Sequence, residues 1–393
     1  MSDPLYLDHN ASTPTVPRVR EVAARALLEG FGNPSAGHVY GRRARAFVDT
    51  ARAQVARLIG CDADEILFTG GGTEASNLAI RGFAAAHAGS QVMVLASRVE
   101  HPAVTEPVRA LTDRAPGSAL VDVDETGAVL PEVFRRALAD GAHQGPTLVS
   151  VMLAQNETGV LQPVSDIARL ARARGAVVHT DAVQAVGKVP VDVRALGVDL
   201  LSIAGHKLYA PKGVGALYVR RGTPLSPLLV GAEHERGLRP GTENVSGIAA
   251  LGEACAMAHE DLEREAERQR GLRDWLEAEL AASGFVVHGA RAARLPKTCN
   301  GHFRGVRGAA LLEALPELAF TTGSACHSGE ETPSAILTAM GIGREEALGA
   351  IRVSIGRGTT EADVERAAHL LLRAAAAPPH PSRPPRASAP PTG

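Results

Sequence analysis

The feature that most constrains the fold is an alternation of short apolar runs with longer helical stretches through the first 250 residues. Runs that are apolar throughout, separated by helices, are typical of βαβ units. The sequence therefore predicts an α/β fold with a mainly parallel sheet, in which ligands bind at the carboxyl ends of the strands. The predicted strands include 65–70, 91–97, 147–153, 176–181, 199–205 and 215–220, and the predicted helices include 73–87, 130–140, 163–174 and 183–187.

The pattern changes after about residue 250. A long, highly charged helical stretch at 252–282 looks like a connector into a smaller C-terminal unit. The end of the chain, 376–393, is rich in Pro, Ala and Ser without periodicity, so we expect it to be disordered. The smaller unit has predicted strands at 283–289, 297–305 and 350–357 and predicted helices at 308–314, 333–341 and 360–373.

Composition excludes several classes of protein. The net charge is −2, so no surface for nucleic acid is indicated. No run of 18 apolar residues exists and the N-terminus lacks the pattern of a secretory signal, so we expect neither a membrane span nor export. The four cysteines are far apart and form no CxxC pair, which argues against a disulfide scaffold or a zinc knuckle and favours the reducing cytoplasm. They are Cys61, Cys255, Cys299 and Cys326.

The sequence ILFTGGGTEASNLAI at 66–80 indicates an anion-binding turn. A predicted strand runs into three glycines, and Thr73 and Glu74 open an apolar-periodic helix. Glycines let backbone N–H groups approach an anion, and a helix N-terminus favours negative charge. The segment is neither a Walker A loop nor a GxGxxG turn. A simple strand-to-helix turn capped by Thr73 explains the same residues, so the motif alone does not decide between the two.

Two further predicted strands end in polar residues. The strand at 176–181 ends in Asp181, a carboxylate that is costly to bury unless it meets a cation or donor, or caps the next helix. The strand at 199–205 is followed by His206 and Lys207. Of the four lysines, only Lys207 follows a buried strand of the predicted sheet; a surface lysine is the alternative. The others are Lys188, Lys212 and Lys297.

An anion cradle, a buried carboxylate and a strand-end lysine together fit one cofactor, pyridoxal phosphate. Its phosphate needs the backbone N–H groups, its ring nitrogen needs the carboxylate, and its aldehyde needs the lysine amine. No metal or nicotinamide site uses all three features.

The sequence also resembles the cysteine desulfurase family of pyridoxal-phosphate enzymes, within aminotransferase class V and fold type I. The resemblance covers about residues 5–373 through ten ordered motifs, including YLDHNASTP, GHKLYAPKGVGALYV and GSACHSG. It implies a homodimer, and a large domain with a mainly parallel seven-stranded sheet at 16–250. It also implies a small α+β domain formed by 1–15 and 251–375.

The resemblance implies a role for each matching residue. Lys207 would bind the cofactor aldehyde, Asp181 would pair with the pyridine nitrogen, and Gln184 would face the ring hydroxyl. His101 would stack on the ring and Arg352 would hold the substrate carboxylate, a task suited to its planar fork. The remaining implied residues are the phosphate ligands Gly72, Thr73 and His206, the ligand Thr242 donated between subunits, and Asn33 and Asn156 near the substrate.

Cys326 matches the nucleophile of the family. It lies in a small-residue, polar segment predicted to be a loop, with His327 beside it, and a thiol near a cation is readily a thiolate. The implied reaction takes sulfur from L-cysteine, releases L-alanine and leaves a persulfide on Cys326 for transfer to an acceptor. The acceptor itself is not indicated by the sequence.

The chain departs from the family pattern at Ala204, Gln155 and His327, where many relatives differ. The ACHSG loop and LPKTCN at 295–300 are also similar to selenocysteine lyases of the same family, whereas Pro102 after Glu100-His101 favours cysteine as substrate. Selenocysteine lyase therefore remains the main alternative. Other class-V enzymes, such as an aminotransferase or a kynureninase-like hydrolase, and a non-catalytic scaffold are further alternatives.

Overall fold

The largest sheet of the described residues has seven strands, six of which run in one direction. The computed structural model describes residues 3–111, 117–139, 143–327 and 330–377, with the backbone alone at 324–327 and 330. One strand is antiparallel to both neighbours. The predicted mainly parallel sheet is thus confirmed. In spatial order the strands are Ile66–Thr69, Gly215–Val219 (the antiparallel one), Leu200–Ala204, Val177–Asp181, Thr147–Ser150, Met93–Ser97 and Ala119–Val121.

Six of these strands lie within the predicted apolar runs, because four are buried at every residue, and Thr147–Ser150 and Val177–Asp181 at all but their first. The edge strand Ala119–Val121 was not among the predictions. It has three residues, of which only Val121 is buried, so it leaves no apolar run in the sequence.

Helices pack against both faces of this sheet. The predicted helix at 183–187 is wrong: this segment is a turn. Asp181 Oδ1 accepts the Val183 N–H at 2.9 Å, and Gly187 has a φ of 72°, so the backbone cannot continue as a helix. The α-helices are Pro17–Glu29, Val39–Ile59, Gly72–Ala86, Pro102–Leu111, Pro131–Ala139, Val164–Arg172, Val193–Leu196, Val245–Ala281, Gly308–Ala314, Ala335–Ala339, Arg344–Gly349 and Glu361–Ala376, with short 3₁₀ helices at Ala63–Glu65, Gly205–Lys207 and Glu235–Gly237.

The predicted connector at 252–282 is part of a longer helix, Val245–Ala281, which is broken at Asp261 (φ −134°, ψ 18°). Before the break, Leu251 and its neighbours belong to the apolar core under the large sheet. After the break, the helix contributes Leu272, Leu276 and Leu280 to a second core. One helix therefore serves two separate cores, while the exact domain bounds 16–250 and 251–375 stay a prediction.

Arg357 connects the break in this helix to the segment that follows the 3₁₀ helix Gly205–Lys207. Its guanidinium donates to both carboxylate oxygens of Asp261 at 2.6 and 2.7 Å. Its backbone N–H donates to the Tyr209 hydroxyl at 2.8 Å, and Tyr209 itself has a φ of 64°. These contacts hold the helix break against the segment that follows the 3₁₀ helix Gly205–Lys207.

The second core lies under a four-stranded antiparallel sheet. The N-terminal strand Leu5–Tyr6 pairs in parallel with Leu318–Ala319, so the start of the chain joins this unit. In order, the four strands are Thr321–Thr322, Ile351–Ser354, Thr298–Phe303 and Phe285–Val287.

The cysteine segment forms a backbone hairpin in place of the predicted loop: Ser324–His327 pairs antiparallel with Glu330–Pro333, and Cys326 faces Glu331 in register. Its small polar residues gave no alternating apolar signal by which a strand could have been predicted. The side chain of Cys326 lies outside the described residues.

The final helix extends to Ala376, past the predicted end at 373 and through the first residue of the predicted tail. Residues 378–393 lie outside the described residues. Among the described residues, none of the helices combines the length and apolar character needed to cross a lipid bilayer.

Candidate active site

Asp181 and Lys207 lie at the same edge of the large sheet. Asp181 is the last residue of its strand and pairs in register with Ser202 of the neighbouring parallel strand. That neighbour ends at Ala204, and the 3₁₀ helix Gly205–Lys207 follows at once. The carboxyl ends of adjacent parallel strands thus bring the predicted acid and the predicted lysine to one place.

The Lys207 amine is held by backbone carbonyls. Nζ donates to Asn10 O at 2.6 Å and to Ala11 O at 2.8 Å. Burial and the nearby Arg352 lower the lysine pKa to about 8, against the opposing effects of Asp8 and Asp181. A substantial fraction of the amine is therefore neutral slightly above neutral pH, as a lysine needs for attack on a carbonyl.

Asp181 is a buried carboxylate with little internal compensation. Oδ1 accepts the Val183 N–H at 2.9 Å, and 5% of the residue is exposed. Burial raises the pKa of this carboxyl, while His101 and Lys207 oppose the rise electrostatically. A protonated ring nitrogen placed here would supply the positive donor that a buried carboxylate requires.

Gln184 shares a backbone partner with Lys207. Its Nε2 donates to Asn10 O at 2.9 Å, the same carbonyl that accepts from the lysine. Its Oε1 is buried and has no partner among the described residues. A buried amide oxygen without a donor fits the ring hydroxyl that the resemblance assigns to Gln184.

His101 lies four residues after the end of the strand Met93–Ser97, close enough to Asp181 and Lys207 to interact with both charges. Its pKa is lowered by partial burial; Lys207 lowers it further, and Asp181 opposes this. Nδ1 accepts the Ala103 N–H at 3.0 Å, which assigns the ring proton to Nε2. The neutral ring therefore fits a stacking partner for an aromatic cofactor.

The glycine turn forms the wall of a cavity of about 540 Å³ that also borders Thr73, His206 and Lys212. The helix Gly72–Ala86 begins there with Gly71 as its N-cap at a φ of 152°. A Cβ at Gly72 would lie 2.8 Å from Val183 Cγ2, so the close approach requires glycine. The N-terminus of this helix, next to Lys212, favours an anion such as phosphate, while the Gly70 N–H donates to Glu74 Oε2 at 2.8 Å.

His206 adds an unpartnered polar atom to this cavity. Its Nδ1 is buried and accepts no hydrogen bond from the described residues. Burial, helped by Lys207 and Lys212, lowers the pKa of this imidazole to about 4. A neutral imidazole can donate one N–H to an anion, which is the role the resemblance implies.

Arg352 lies on the opposite unit, in the strand Ile351–Ser354, and is largely buried. Its guanidinium pairs with Asp8 at 2.6 Å and donates to Asn156 O at 3.0 Å and Thr321 Oγ1 at 3.1 Å. Its Nε is buried without a partner among the described residues. The positive charge of this guanidinium is close enough to lower the pKa of Lys207.

Of the remaining predicted residues, one contacts Arg352 and two have no contact with the described residues around Lys207. Asn156 is next to Arg352 through its backbone carbonyl, while its Oδ1 accepts from Gln155 Nε2 at 3.3 Å. Asn33 is exposed and accepts the Ser35 N–H at 2.9 Å, and Thr242 is exposed in the loop before the helix Val245–Ala281. No contact among the described residues joins Asn33 or Thr242 to Lys207, so their roles stay predictions.

Two residues of the site were not predicted. Asn10 joins Lys207 and Gln184 by its carbonyl and donates through Nδ2 to Asn156 O at 3.1 Å and Thr298 Oγ1 at 2.9 Å. Its only sequence signal was its position in YLDHNASTP. Glu100 is buried behind the site, and burial raises its pKa to about 8. A glutamate directly before a candidate histidine at a strand end was the signal for it.

Comparison with known proteins decides the family. The family model described as Aminotransferase class-V matches residues 5–367. A cysteine desulfurase IscS of Dictyoglomus turgidum is 41% identical over 377 residues, which is 95% of this chain and 95% of that protein. The chain belongs to the cysteine desulfurase family of class-V aminotransferases. A second member, cysteine desulfurase IscS of an Anaeromyxobacter species, is 42% identical over 95% of this chain and 92% of its own length.

Solved structures of the family agree with the observed architecture. A NifS-like protein of Rickettsia africae superposes with a TM-score of 0.85 at 30% identity, over 94% of this chain and 99% of its own. DndA of Streptomyces lividans gives 0.74 at 34% identity, over 87% and 97%. The predicted family membership and the predicted fold type I are confirmed. The roles of individual site residues stay predictions. No cluster of metal ligands occurs among the described residues.

Proposed function

We propose that the protein is a pyridoxal-phosphate-dependent cysteine desulfurase that takes sulfur from L-cysteine and releases L-alanine. The observation that carries the proposal is the convergence of Lys207 and Gln184 on the Asn10 carbonyl, with Asp181 at the end of the adjoining strand. Relatives that carry the same name along almost the whole chain support it.

The residues around Lys207 match the chemical groups of this cofactor. Gly72, Thr73 and His206 would bind the phosphate, Asp181 the ring nitrogen, Gln184 the ring hydroxyl, and His101 the ring face. The buried, unpartnered Gln184 Oε1 and His206 Nδ1 support this fit. When bound, pyridoxal phosphate supplies an aldehyde for an amine and a ring that accepts the electrons of a broken bond at the α-carbon.

This chain's own residues would bind the amino acid and move its proton. Arg352 would hold the substrate carboxylate, exchanging part of its contact with Asp8 for the new anion. The Lys207 amine, with its pKa lowered to about 8, would take the α-proton and return it. Burial of both groups keeps their interactions strong.

Cys326 is the proposed acceptor of the sulfur. Its thiolate would form an S–S bond with the substrate sulfur while the carbon–sulfur bond breaks, leaving a persulfide on Cys326. Burial raises the pKa of Cys61 and Cys255 to about 12 and that of Cys299 well above its ordinary value. These three thiols are therefore poor nucleophiles at neutral pH, which supports Cys326.

Replacing Lys207 tests the cofactor assignment. We expect Lys207→Ala to lose the near-visible absorbance of the bound cofactor and to lower alanine formation roughly 10⁴-fold, because the amine provides both attachment and proton transfer. Arg20→Ala, at an exposed position of the helix Pro17–Glu29, removes a cation away from this group and should keep the absorbance band. Retention of that band in Lys207→Ala would contradict the assignment.

Replacing Cys326 tests the sulfur acceptor separately. We expect Cys326→Ser to keep the cofactor band and lose persulfide formation, measured by trapping after incubation with L-cysteine and mapping peptides by mass. Cys61→Ser, which removes a half-buried thiol elsewhere, should leave persulfide formation intact. A persulfide trapped on Cys61 instead would reject Cys326. Parallel turnover of L-selenocysteine distinguishes a selenocysteine lyase, which would prefer that substrate.

We also propose a cytoplasmic homodimer that passes sulfur to an acceptor protein or thiol. The free thiols of Cys61, Cys255 and Cys299 are consistent with a reducing compartment. Thr242, exposed in its own chain, would complete the phosphate site of the second subunit. Light scattering gives the oligomeric state, and Thr242→Ala should weaken cofactor retention without changing the subunit's fold.

A further inference from the structure

A groove of about 820 Å³ lies between the second half of the helix Val245–Ala281 and the first turns of the helix Glu361–Ala376. We call it the Trp275 groove. Leu272 and Val364 form its apolar floor, and Trp275, the single tryptophan of the chain, is 40% exposed at its side. The groove belongs to the second core and has no part in the site around Lys207.

The Trp275 groove is acidic. Glu267, Glu361 and Glu365 line it, are exposed, and form no salt bridge with any described residue. The two arginines of the groove are already paired: Arg268 with Glu265 at 2.6 Å, and Arg357 with Asp261 at 2.6 Å. The unpaired charge facing the groove is therefore negative.

The end of this chain has the opposite character. Residues 378–393 read PPHPSRPPRASAPPTG, with seven prolines and no Asp or Glu side chain. Its cations are Arg383 and Arg386, and Pro381 and Pro384 have the PxxP spacing. Proline-rich segments of this kind bind grooves lined by aromatic residues, since a polyproline helix loses little entropy on binding.

We propose that residues 378–393 dock in the Trp275 groove of the same chain. Their prolines pack on Trp275 and the apolar floor, and Arg383 and Arg386 pair with Glu365 and Glu361. Charge complementarity and the aromatic wall favour this segment over an acidic or neutral partner.

Residues 378–393 are long enough to reach the two glutamates of the groove. Glu365 and Glu361 lie 12 and 16 residues before Ala377, the last described residue, which is about 18 and 24 Å along an α-helix. Arg383 and Arg386 lie 6 and 9 residues after it, which is about 19 and 28 Å in polyproline conformation. A segment that turns back along its own helix therefore brings each arginine level with one of the two glutamates.

Because Trp275 is the single tryptophan, its fluorescence reports the groove directly. We compare the full chain with one that ends at Ala377, which keeps every helix of the described fold. Docking predicts a blue-shifted emission and a smaller acrylamide quenching constant in the full chain. A synthetic peptide of residues 378–393 added to the shortened chain should restore both signals, and less so at high salt.

Charge variants test the proposed pairs. R383A/R386A in the added peptide should weaken its binding roughly tenfold, since two exposed ion pairs together contribute about one order of magnitude in affinity. E361Q/E365Q in the shortened chain should have a similar effect. The matched control E29Q/E313Q removes two exposed, unpaired glutamates elsewhere and should leave peptide affinity unchanged.

Two results would overturn the proposal. Identical emission and quenching in the full and shortened chains would mean that the segment does not occupy the groove. A difference that grows with protein concentration would mean that the segment binds another copy, not its own chain.

Discussion

Two buried carboxylates, Asp181 at a strand end of the large sheet and Glu235 packed against that sheet, differ in how they are compensated. Glu235 accepts from Arg52 with both oxygens, at 2.6 and 2.9 Å, and from the Phe68 N–H at 2.8 Å. Asp181 is as buried but accepts a single hydrogen bond from the Val183 N–H. Glu235 has a structural role, because donors of the protein pair with both of its oxygens. Asp181 has few such donors and a raised pKa, so it can accept a hydrogen bond from a positively charged ligand group.

Asp181→Asn should have the largest effect on activity of the variants that test this comparison. An amide cannot stabilise a protonated ring nitrogen, so we expect kcat/KM for alanine formation from L-cysteine to fall about 10³-fold. The free energy of unfolding should not decrease, because the variant removes a poorly compensated buried charge. Steady-state kinetics and urea denaturation measure the two quantities. A large loss of stability with normal kinetics would show that Asp181 is structural.

Glu235→Gln should show the opposite behaviour. It leaves the half-buried Arg52 guanidinium without its anion, so we expect the free energy of unfolding to fall by about 3 kcal/mol. The cofactor absorbance of the folded fraction should be unchanged. Urea denaturation together with the absorbance spectrum tests this. The comparison fails if the variant is fully stable but cannot bind the cofactor.

Glu100→Gln extends the comparison to a third buried carboxyl group and tests it through the pH dependence of stability. Burial raises the pKa of Glu100 to about 8, so between about pH 4.5 and 8 the folded state binds more protons than the unfolded state. Its contribution to stability is therefore present below pH 4.5 and is lost as pH rises to 8. Gln cannot ionise, so from pH 4.5 to 8.5 the variant should gain roughly 4 kcal/mol relative to wild type.

Urea denaturation of both proteins across this pH range measures that difference. Glu29→Gln, at an exposed position, is a suitable control and should give a difference that does not change with pH. Parallel stability curves for Glu100→Gln and wild type would mean that Glu100 is ionised in the folded protein.

The sequence predicted the large sheet well because burial on both faces makes each central strand a continuous apolar run. It did not predict Ala119–Val121, whose exposed Ala119 interrupts any such run. It also placed a helix at 183–187, where apolar residues suggested one, because the Asp181–Val183 hydrogen bond that turns the chain depends on the folded position of the carboxylate.

The site was predictable where chemistry is carried by a side chain at a strand end, as with Asp181 and Lys207. It was not predictable where the contact is made by a backbone atom. The Asn10 carbonyl accepts a hydrogen bond from Lys207, which is 197 residues away in the chain, and this contact does not depend on the asparagine side chain. Likewise, the Asp8–Arg352 pair joins residues 344 apart and depends on two units folding against each other.

Arg357 links the two sides of the candidate site through contacts that lie outside it. Arg352 and Arg357 belong to one short stretch of chain, and Arg357 contacts both Tyr209, two residues beyond Lys207, and Asp261 at the helix break. The strand that carries Arg352 and the segment that carries Lys207 are therefore tied to each other, and to the long helix, by a single arginine.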